Sequence, residues 1–221
     1  MIALLVGVAF GQHYAFPTSS SDYSHWYLST YVDNNGQDYA CGSDRYSGHT
    51  GTDFGAGSWS GMSAGRDVNA AARGTVVYVH DGEPDNCANN CSTIENMVQV
   101  RHPDNRITAY AHLKRWSITV NVGDSVSCGE KLGEMGSSGN SSAPHLHFGV
   151  YENGDAVDPF EGPCGNTDTR WMSQGSYQGI PGLVCDTSGG GGGSGCGSLA
   201  FSGHLALMLL VPPALLRRRR R

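Results

Sequence analysis

Residues 145–151 read His-Leu-His-Phe-Gly-Val-Tyr. Successive side chains of a β-strand point to opposite faces, so a strand here places His145 and His147 on the same face. The apolar side chains between and after them share the other face and can anchor the strand in a core: Leu146, Phe148 and Val150. The pattern predicts a half-buried strand that presents two imidazoles.

A second strand with the same division is predicted over residues 106–113. We expect Tyr110 and His112 to share one face of this strand. The opposite face would be apolar and consist of Ile107, Ala109, Ala111 and Leu113. Two strands that present imidazoles opposite an apolar face indicate a shared polar groove.

A third segment carries His49 and Asp53, which are four residues apart. An extended backbone puts both side chains on one side. Gly51 lies between them, and a glycine permits a close approach by another part of the chain. The segment therefore offers an imidazole and a carboxylate to the same site.

The body of the chain, from about residue 46 to residue 160, consists of short β-rich runs separated by turn residues. We predict strands at residues 74–80, 97–101, 106–113, 118–122 and 145–151. No amphipathic stretch of 12 or more residues with the period of a helix is present. Glycine makes up 32 of the 221 residues, which favours many tight turns. The predicted fold class is mostly β, an antiparallel sheet core with a groove and disulfide-stabilised loops.

The charge of the chain is divided unevenly. The formal net charge is −6, yet five of the 14 basic residues form the run Arg217–Arg221. The rest of the chain holds nine basic against 20 acidic residues, a balance of −11. Such an acidic body has no general attraction for nucleic acid, and we expect no nucleic-acid partner.

These polar groups have the composition of a zinc site. Catalytic zinc usually has three protein ligands drawn from His, Asp, Glu and Cys, with water in the open position. His49, Asp53 and one of the pair His145 and His147 would supply three ligands, and spacing alone leaves that choice open. The other histidine of the pair, with His112, would be free for proton transfer.

The segments His49-x-Gly-x-Asp53-Phe, Tyr110-x-His112-Leu and His145-Leu-His147-Phe occur in this order, and their pattern resembles the signature of the lysostaphin-like zinc endopeptidases, the M23 or LytM family. The resemblance covers about 115 residues. It implies that His49, Asp53 and His147 bind Zn²⁺ and that His112 and His145 are catalytic. It also implies hydrolysis of peptide bonds in peptidoglycan cross-links or stem peptides, and we expect a monomer.

Two other functions are compatible with parts of the sequence. The same fold could serve as a catalytically silent wall-binding or amidase-activator module, although all five chemical residues are present. Residues 61–65 also match the G-x-S-x-G pattern of serine hydrolases. That pattern requires a strand before it and a helix after it, and we predict neither at these positions.

Both ends of the chain indicate export. Residues 1–11 resemble a short signal peptide. Residues 189–198 form a Gly-rich tether with Cys196, and residues 199–221 are an apolar segment followed by the arginine run. This C-terminal arrangement resembles the sorting signals of myxobacterial surface proteins and predicts attachment to a membrane with the body at the cell envelope or surface. Between these ends we expect extensions at residues 12–44 and 161–188 around a peptidase domain at residues 45–160.

Seven cysteines agree with export, because disulfides persist in oxidising compartments. Six lie in the body and can form pairs in 15 ways. Nearness along the chain favours Cys87 with Cys91, and Cys164 with Cys185. The two extensions read as irregular structure.

Overall fold

The structure, a computed structural model, describes residues 11–85 and 94–187. Its elements are a 3₁₀ turn at Tyr23–His25, one α-helix and ten strands. The helix, α1, spans Ser58–Ala64. The strands are β1 Tyr27–Thr30, β2 Thr52–Gly55, β3 Asp67–Asn69, β4 Gly74–His80, β5 Met97–Arg101, β6 Ile107–Ala111, β7 Ser125–Val126, β8 Lys131–Glu134, β9 Leu146–Glu152 and β10 Asp155–Val157.

Eight of these strands form one antiparallel sheet. Its order is β1-β2-β9-β6-β5-β4-β7, with β10 paired to β9, while β3 and β8 form a separate pair. The order brings β2, β9 and β6 side by side, although they are far apart in the chain. The predicted fold class, a mostly β antiparallel sheet, is confirmed.

The turns follow from the residues that the sequence places in them. Asn153 and Gly154 connect β9 to β10 as a two-residue hairpin loop, and both have positive φ, 54° and 95°. A hairpin turn of this kind requires positive φ at both central positions, which Asn and Gly tolerate best.

One face of the large sheet is a hydrophobic core. Leu146, Phe148 and Val150 of β9 are fully buried, as the alternation predicts. Aromatic residues from outside the central strands close this core, among them Tyr14, Phe16 and Trp171. Phe16 packs edge-on against Phe54 with ring centroids 4.9 Å apart, which ties the N-terminal segment to β2.

Two predictions of local structure are wrong. Residues 118–122 do not form a strand, because the Asp81 carboxylate accepts the backbone N–H groups of Trp116 and Ile118 and draws this segment into a loop. The N-terminal extension is not wholly irregular, since β1 pairs with β2 and becomes an edge strand of the sheet. Its side chains are exposed or half-buried, and it therefore lacks a strong apolar signal.

The disulfides connect distant parts of the chain. Cys41 pairs with Cys164, and Cys128 pairs with Cys185. The predicted pair of Cys164 with Cys185 is therefore wrong. Cys164 pairs with Cys41 because the chain brings residue 164 beside the N-terminal extension, where its N–H donates to the carbonyl oxygen of Tyr39 at 2.9 Å.

Several predictions lie outside the described residues. These are the pair of Cys87 with Cys91, most of the signal peptide, the tether with Cys196 and the apolar segment with its arginine run. Among residues 11–85 and 94–187, no helix has the length and apolar character needed to cross a bilayer.

Candidate zinc and catalytic site

Asp53 and His147 meet because their strands are neighbours. The register of β2 and β9 places these two residues directly opposite each other, so both side chains leave the sheet on the same face. Asp53 Oδ1 lies 3.0 Å from His147 Nδ1. The residues that follow them in the chain, Phe54 and Phe148, are buried on the opposite face.

His49 joins this pair from the turn before β2. Its Nε2 atom lies 3.0 Å from Asp53 Oδ1 and 3.1 Å from His147 Nδ1. The approach depends on Gly51, since a Cβ atom there would lie 2.5 Å from His147 Nε2. The glycine therefore has the role that the sequence predicts for it.

The orientation of the His49 ring is fixed by a backbone group. His49 Nδ1 lies 2.7 Å from the carbonyl oxygen of Tyr31, which can only accept a hydrogen bond. Nδ1 therefore carries a hydrogen, and in the neutral imidazole Nε2 has a lone pair directed at Asp53 and His147. Metal-binding histidines are commonly held in this way.

Asp53 is a carboxylate in this site. Burial alone would favour its neutral form, but the imidazole rings of His147, His49 and His145 around it hold the pKa of Asp53 well below its ordinary value. The side chain is only 8% exposed, so this negative charge is largely removed from water.

The three groups suit a zinc ion. Tetrahedral zinc with bonds of about 2.0–2.1 Å separates its ligand atoms by about 3.3 Å. The atoms His49 Nε2, Asp53 Oδ1 and His147 Nδ1 are 3.0 to 3.1 Å apart. Within the described residues, they also form the one cluster of three or more His, Cys, Asp or Glu side chains able to share an ion.

Two further histidines lie beside this cluster. The ring centroids of His112 and His145 are 4.6 Å apart, and His145 Nε2 is 3.6 Å from Asp53 Oδ1. His112 Nδ1 donates to the Ser138 carbonyl oxygen and His145 Nδ1 to that of Ala143, both at 2.8 Å. Each neutral ring therefore keeps its Nε2 lone pair available.

The environment of His112 keeps its ring neutral. Burial, with a smaller effect from the nearby His145, lowers the pKa of His112 to about 4. The ring is therefore neutral near pH 7. A neutral imidazole with its Nδ1 hydrogen already bonded can accept a proton at Nε2.

A sequence model of peptidase family M23 matches residues 47–159, just over half of the chain. The chain belongs to this family. The matched segment contains all five residues of the site. The M23 assignment confirms the resemblance drawn from the three sequence segments.

Several bacterial proteins are similar to part of this chain. The cell division protein DipM of Caulobacter vibrioides is 36% identical over 95 residues, 43% of this chain and 15% of the relative. The DD-carboxypeptidase/endopeptidase Mpg of Neisseria meningitidis is 32% identical over 111 residues, 50% of this chain and 22% of the relative. The chain thus spans a minor part of each relative.

A solved structure of the SpoIIQ-SpoIIIAH pore forming complex has a chain with a similar fold. The TM-score is 0.50 at 22% identity, over 68% of this chain and 90% of that chain. At this identity the likeness concerns the fold alone.

One prediction about the faces of β6 is wrong. Tyr110 is fully buried and lies opposite Phe148, on the core face, where its hydroxyl accepts the N–H of Ala71 at 2.8 Å. His112 nevertheless reaches the M23 site, because its φ of +58° breaks the alternation of the strand. Ala111 lies opposite His147 instead and leaves room for the histidine rings.

Two contributions to the site were not predicted. Tyr31 acts through its carbonyl oxygen, and no side-chain pattern can reveal that. Tyr46 stacks its ring on His49 with centroids 4.2 Å apart and is 54% exposed. The short spacing between Tyr46 and His49 is the one signal that could have suggested this contact.

The serine-hydrolase pattern has no support from local geometry. Ser63 lies near the end of α1, where its hydroxyl donates to the carbonyl oxygen of Trp59 at 2.9 Å. A nucleophilic serine instead occupies the sharp turn between a strand and a helix. As predicted, the motif lacks the strand directly before it and the helix after it: β2 ends at Gly55, α1 contains the serine itself, and β3 follows.

Proposed function

We propose that this protein is a zinc-dependent endopeptidase that hydrolyses peptide bonds in peptidoglycan cross-links or stem peptides. One observation carries the proposal. His49 Nε2, Asp53 Oδ1 and His147 Nδ1 converge within 3.1 Å, and two further histidines with available Nε2 atoms lie beside them.

In this proposal, His49, Asp53 and His147 hold the metal. A bound zinc ion supplies a Lewis acid for the scissile carbonyl and lowers the pKa of a bound water from 15.7 to about 7. Tyr31 keeps the His49 lone pair directed at the ion, and the Asp53 carboxylate contributes a buried negative charge.

His112 and His145 would transfer protons. One Nε2 atom accepts a proton from the attacking water, and the imidazolium then donates a proton to the leaving amine. The same N–H can donate a hydrogen bond to the oxyanion that develops at the scissile carbonyl. The fixed Nδ1 hydrogen bonds of both rings keep the Nε2 atoms directed for this task.

The substrate and location are supported by two kinds of observation. The relatives include a DD-carboxypeptidase/endopeptidase and proteins named as lipoproteins, one of them an outer membrane antigenic lipoprotein. Two disulfides indicate an oxidising compartment. These observations support a location at the cell envelope or surface. From the sequence we further propose a monomer that the C-terminal segment attaches to the membrane.

Peptide release from defined peptidoglycans tests this function. The purified full chain is incubated with each preparation, and mass spectrometry identifies the fragments. We expect new amino termini at one type of peptide bond, loss of release with a zinc chelator, and no effect of a serine-directed inhibitor. Full zinc occupancy without cleavage of any preparation would favour the catalytically silent module instead.

A further inference from the structure

The turn that carries His49 is held from outside the M23 segment. Asp33, fourteen residues before the first matched position, contacts this turn at two points. Its backbone N–H donates to the carbonyl oxygen of His49 at 2.9 Å. Its carboxylate Oδ2 accepts the N–H of Gly48 at 2.8 Å.

Gly48 makes this second contact important. It has a φ of +76° and is exposed, and a Cβ atom added there would meet nothing within 4 Å. Side-chain packing therefore does not restrain the backbone at Gly48. A glycine also has more backbone freedom than any other residue, so the Asp33 carboxylate adds a restraint at Gly48 to those at His49, whose N–H donates to the Tyr46 carbonyl oxygen at 3.1 Å.

Asp33 is itself held in place. Its second carboxylate oxygen, Oδ1, accepts the N–H of Gly36 at 2.8 Å and lies 3.5 Å from Arg45 Nε. The side chain is 12% exposed. Two residues earlier, Tyr31 fixes the His49 ring, so one short segment fixes both the ring and the backbone of the same ligand.

We propose that Asp33 is a positioning residue whose carboxylate sets the zinc affinity of the site by fixing the Gly48–His49 turn. Without the carboxylate, the turn samples other conformations and must be ordered again each time the metal binds. Groups that orient metal ligands typically change metal affinity 10- to 100-fold when they are removed. This inference rests on the proposed zinc site.

Asp22 offers a matched control in the same extension. Its Oδ2 accepts the N–H of Asp67 at 3.0 Å, its Oδ1 is paired with Arg66 at 2.9 Å, and its side chain is 13% exposed. Both aspartates thus accept a backbone N–H, face an arginine and are buried to the same degree. Only Asp33 contacts the turn that carries His49.

The test is a zinc competition titration with a chromophoric chelator on the full chain. We expect Asp33→Ala to weaken zinc binding at least about 10-fold and Asp33→Asn, which keeps one acceptor oxygen, to have a smaller effect. Asp22→Ala should keep a zinc affinity within about twofold of the wild type. Its thermal midpoint of unfolding should nevertheless fall about as far as that of Asp33→Ala.

Three results would overturn the inference. The first is wild-type zinc affinity in a folded Asp33→Ala protein, and the second is an equal loss of affinity in Asp22→Ala. If Asp33→Ala does not fold, Asp33→Asn decides, and unchanged affinity there counts against Asp33. The third is a wild-type chain that binds no zinc, which would contradict the proposed function as well.

Discussion

The M23 segment, residues 47–159, and the extensions on either side of it contribute to the site in different ways. The segment supplies every side chain proposed to bind the metal or to transfer protons: His49, Asp53, His112, His145 and His147. The extensions supply none of them, yet the Tyr31 carbonyl and the Asp33 carboxylate hold the first of these ligands. The chemistry is thus local to one segment, whereas the rigidity that it requires comes partly from outside.

Among changes to the M23 segment and the extensions, loss of a proton-transfer group should have the largest effect on activity. We expect His112→Ala to lower kcat by about 10² to 10⁴-fold, because general acid–base catalysis contributes about that much. Zinc content should remain that of the wild type, since His112 is not in the three-ligand cluster. Steady-state kinetics with metal analysis measures both, and the control is His80→Ala, a histidine that pairs with Glu83 and is not among the five site residues. A kcat within tenfold of the wild type would remove His112 from the mechanism.

The next largest effect should come from a substitution in the M23 segment that adds a methyl group beside the site and changes no ligand. Gly51→Ala would place a Cβ atom 2.5 Å from His147 Nε2 and 2.8 Å from the Phe148 carbonyl oxygen. Either His147 or the turn must then move, and we expect zinc affinity to fall by about tenfold or more. Gly133→Ala, whose Cβ would come no closer than 3.2 Å to the Ser117 hydroxyl, is the matched control. Equal affinities in a chelator titration would show that the close approach has no role.

The extensions should affect stability more than chemistry. Replacing Cys41 and Cys164 by Ala removes a disulfide across a separation of 123 residues, against 57 for Cys128 and Cys185. We expect each double variant to lose about 2–5 kcal/mol of unfolding free energy. Only the first should also weaken zinc binding, because Cys41 lies in the stretch of chain between Asp33 and His49. Denaturant unfolding with zinc titration measures this, and equal zinc affinities in the two variants would contradict it.

The smallest effect concerns Asp158, where the M23 segment meets the N-terminal extension. Burial raises the pKa of Asp158 from 3.8 to about 6, while its oxygens accept hydrogen bonds from Phe160 N at 3.0 Å and Asn34 Nδ2 at 2.5 Å. Between these values the unfolded chain binds fewer protons than the folded one, so the free energy of unfolding falls as pH rises. Asp158→Asn should lack this fall, which amounts to at most about 3 kcal/mol. The free energy of unfolding is measured for both proteins from pH 4 to pH 7. The same dependence on pH in Asp158→Asn and the wild type would contradict the prediction.

The sequence predicted what repeats along a strand and missed what depends on neighbours across the fold. Strands at residues 74–80 and 97–101 have the predicted bounds, since their β-rich runs end at turn residues. The predictions for the face of Tyr110 and for the partner of Cys164 were wrong, because each is decided by a residue far along the chain. Spacing could not separate His145 from His147 either, whereas the register that sets Asp53 opposite His147 favours His147 as the third ligand.

The roles of the extensions are the hardest to predict. Tyr31 acts through a carbonyl oxygen, which every residue has, and Asp33 is one of many acidic residues in an acidic chain. β1 has no buried face that would mark it as a strand. Such contributions become visible only when the backbone is in place.

The most direct test of the central claim is the zinc content of the purified full chain beside that of His147→Ala, with His80→Ala as a control. Because three ligand atoms converge on one site, we predict one zinc ion per chain in the wild type and in His80→Ala. His147→Ala, which lacks one ligand, should retain essentially none after dialysis. Equal zinc content in His147→Ala and the wild type would contradict the account.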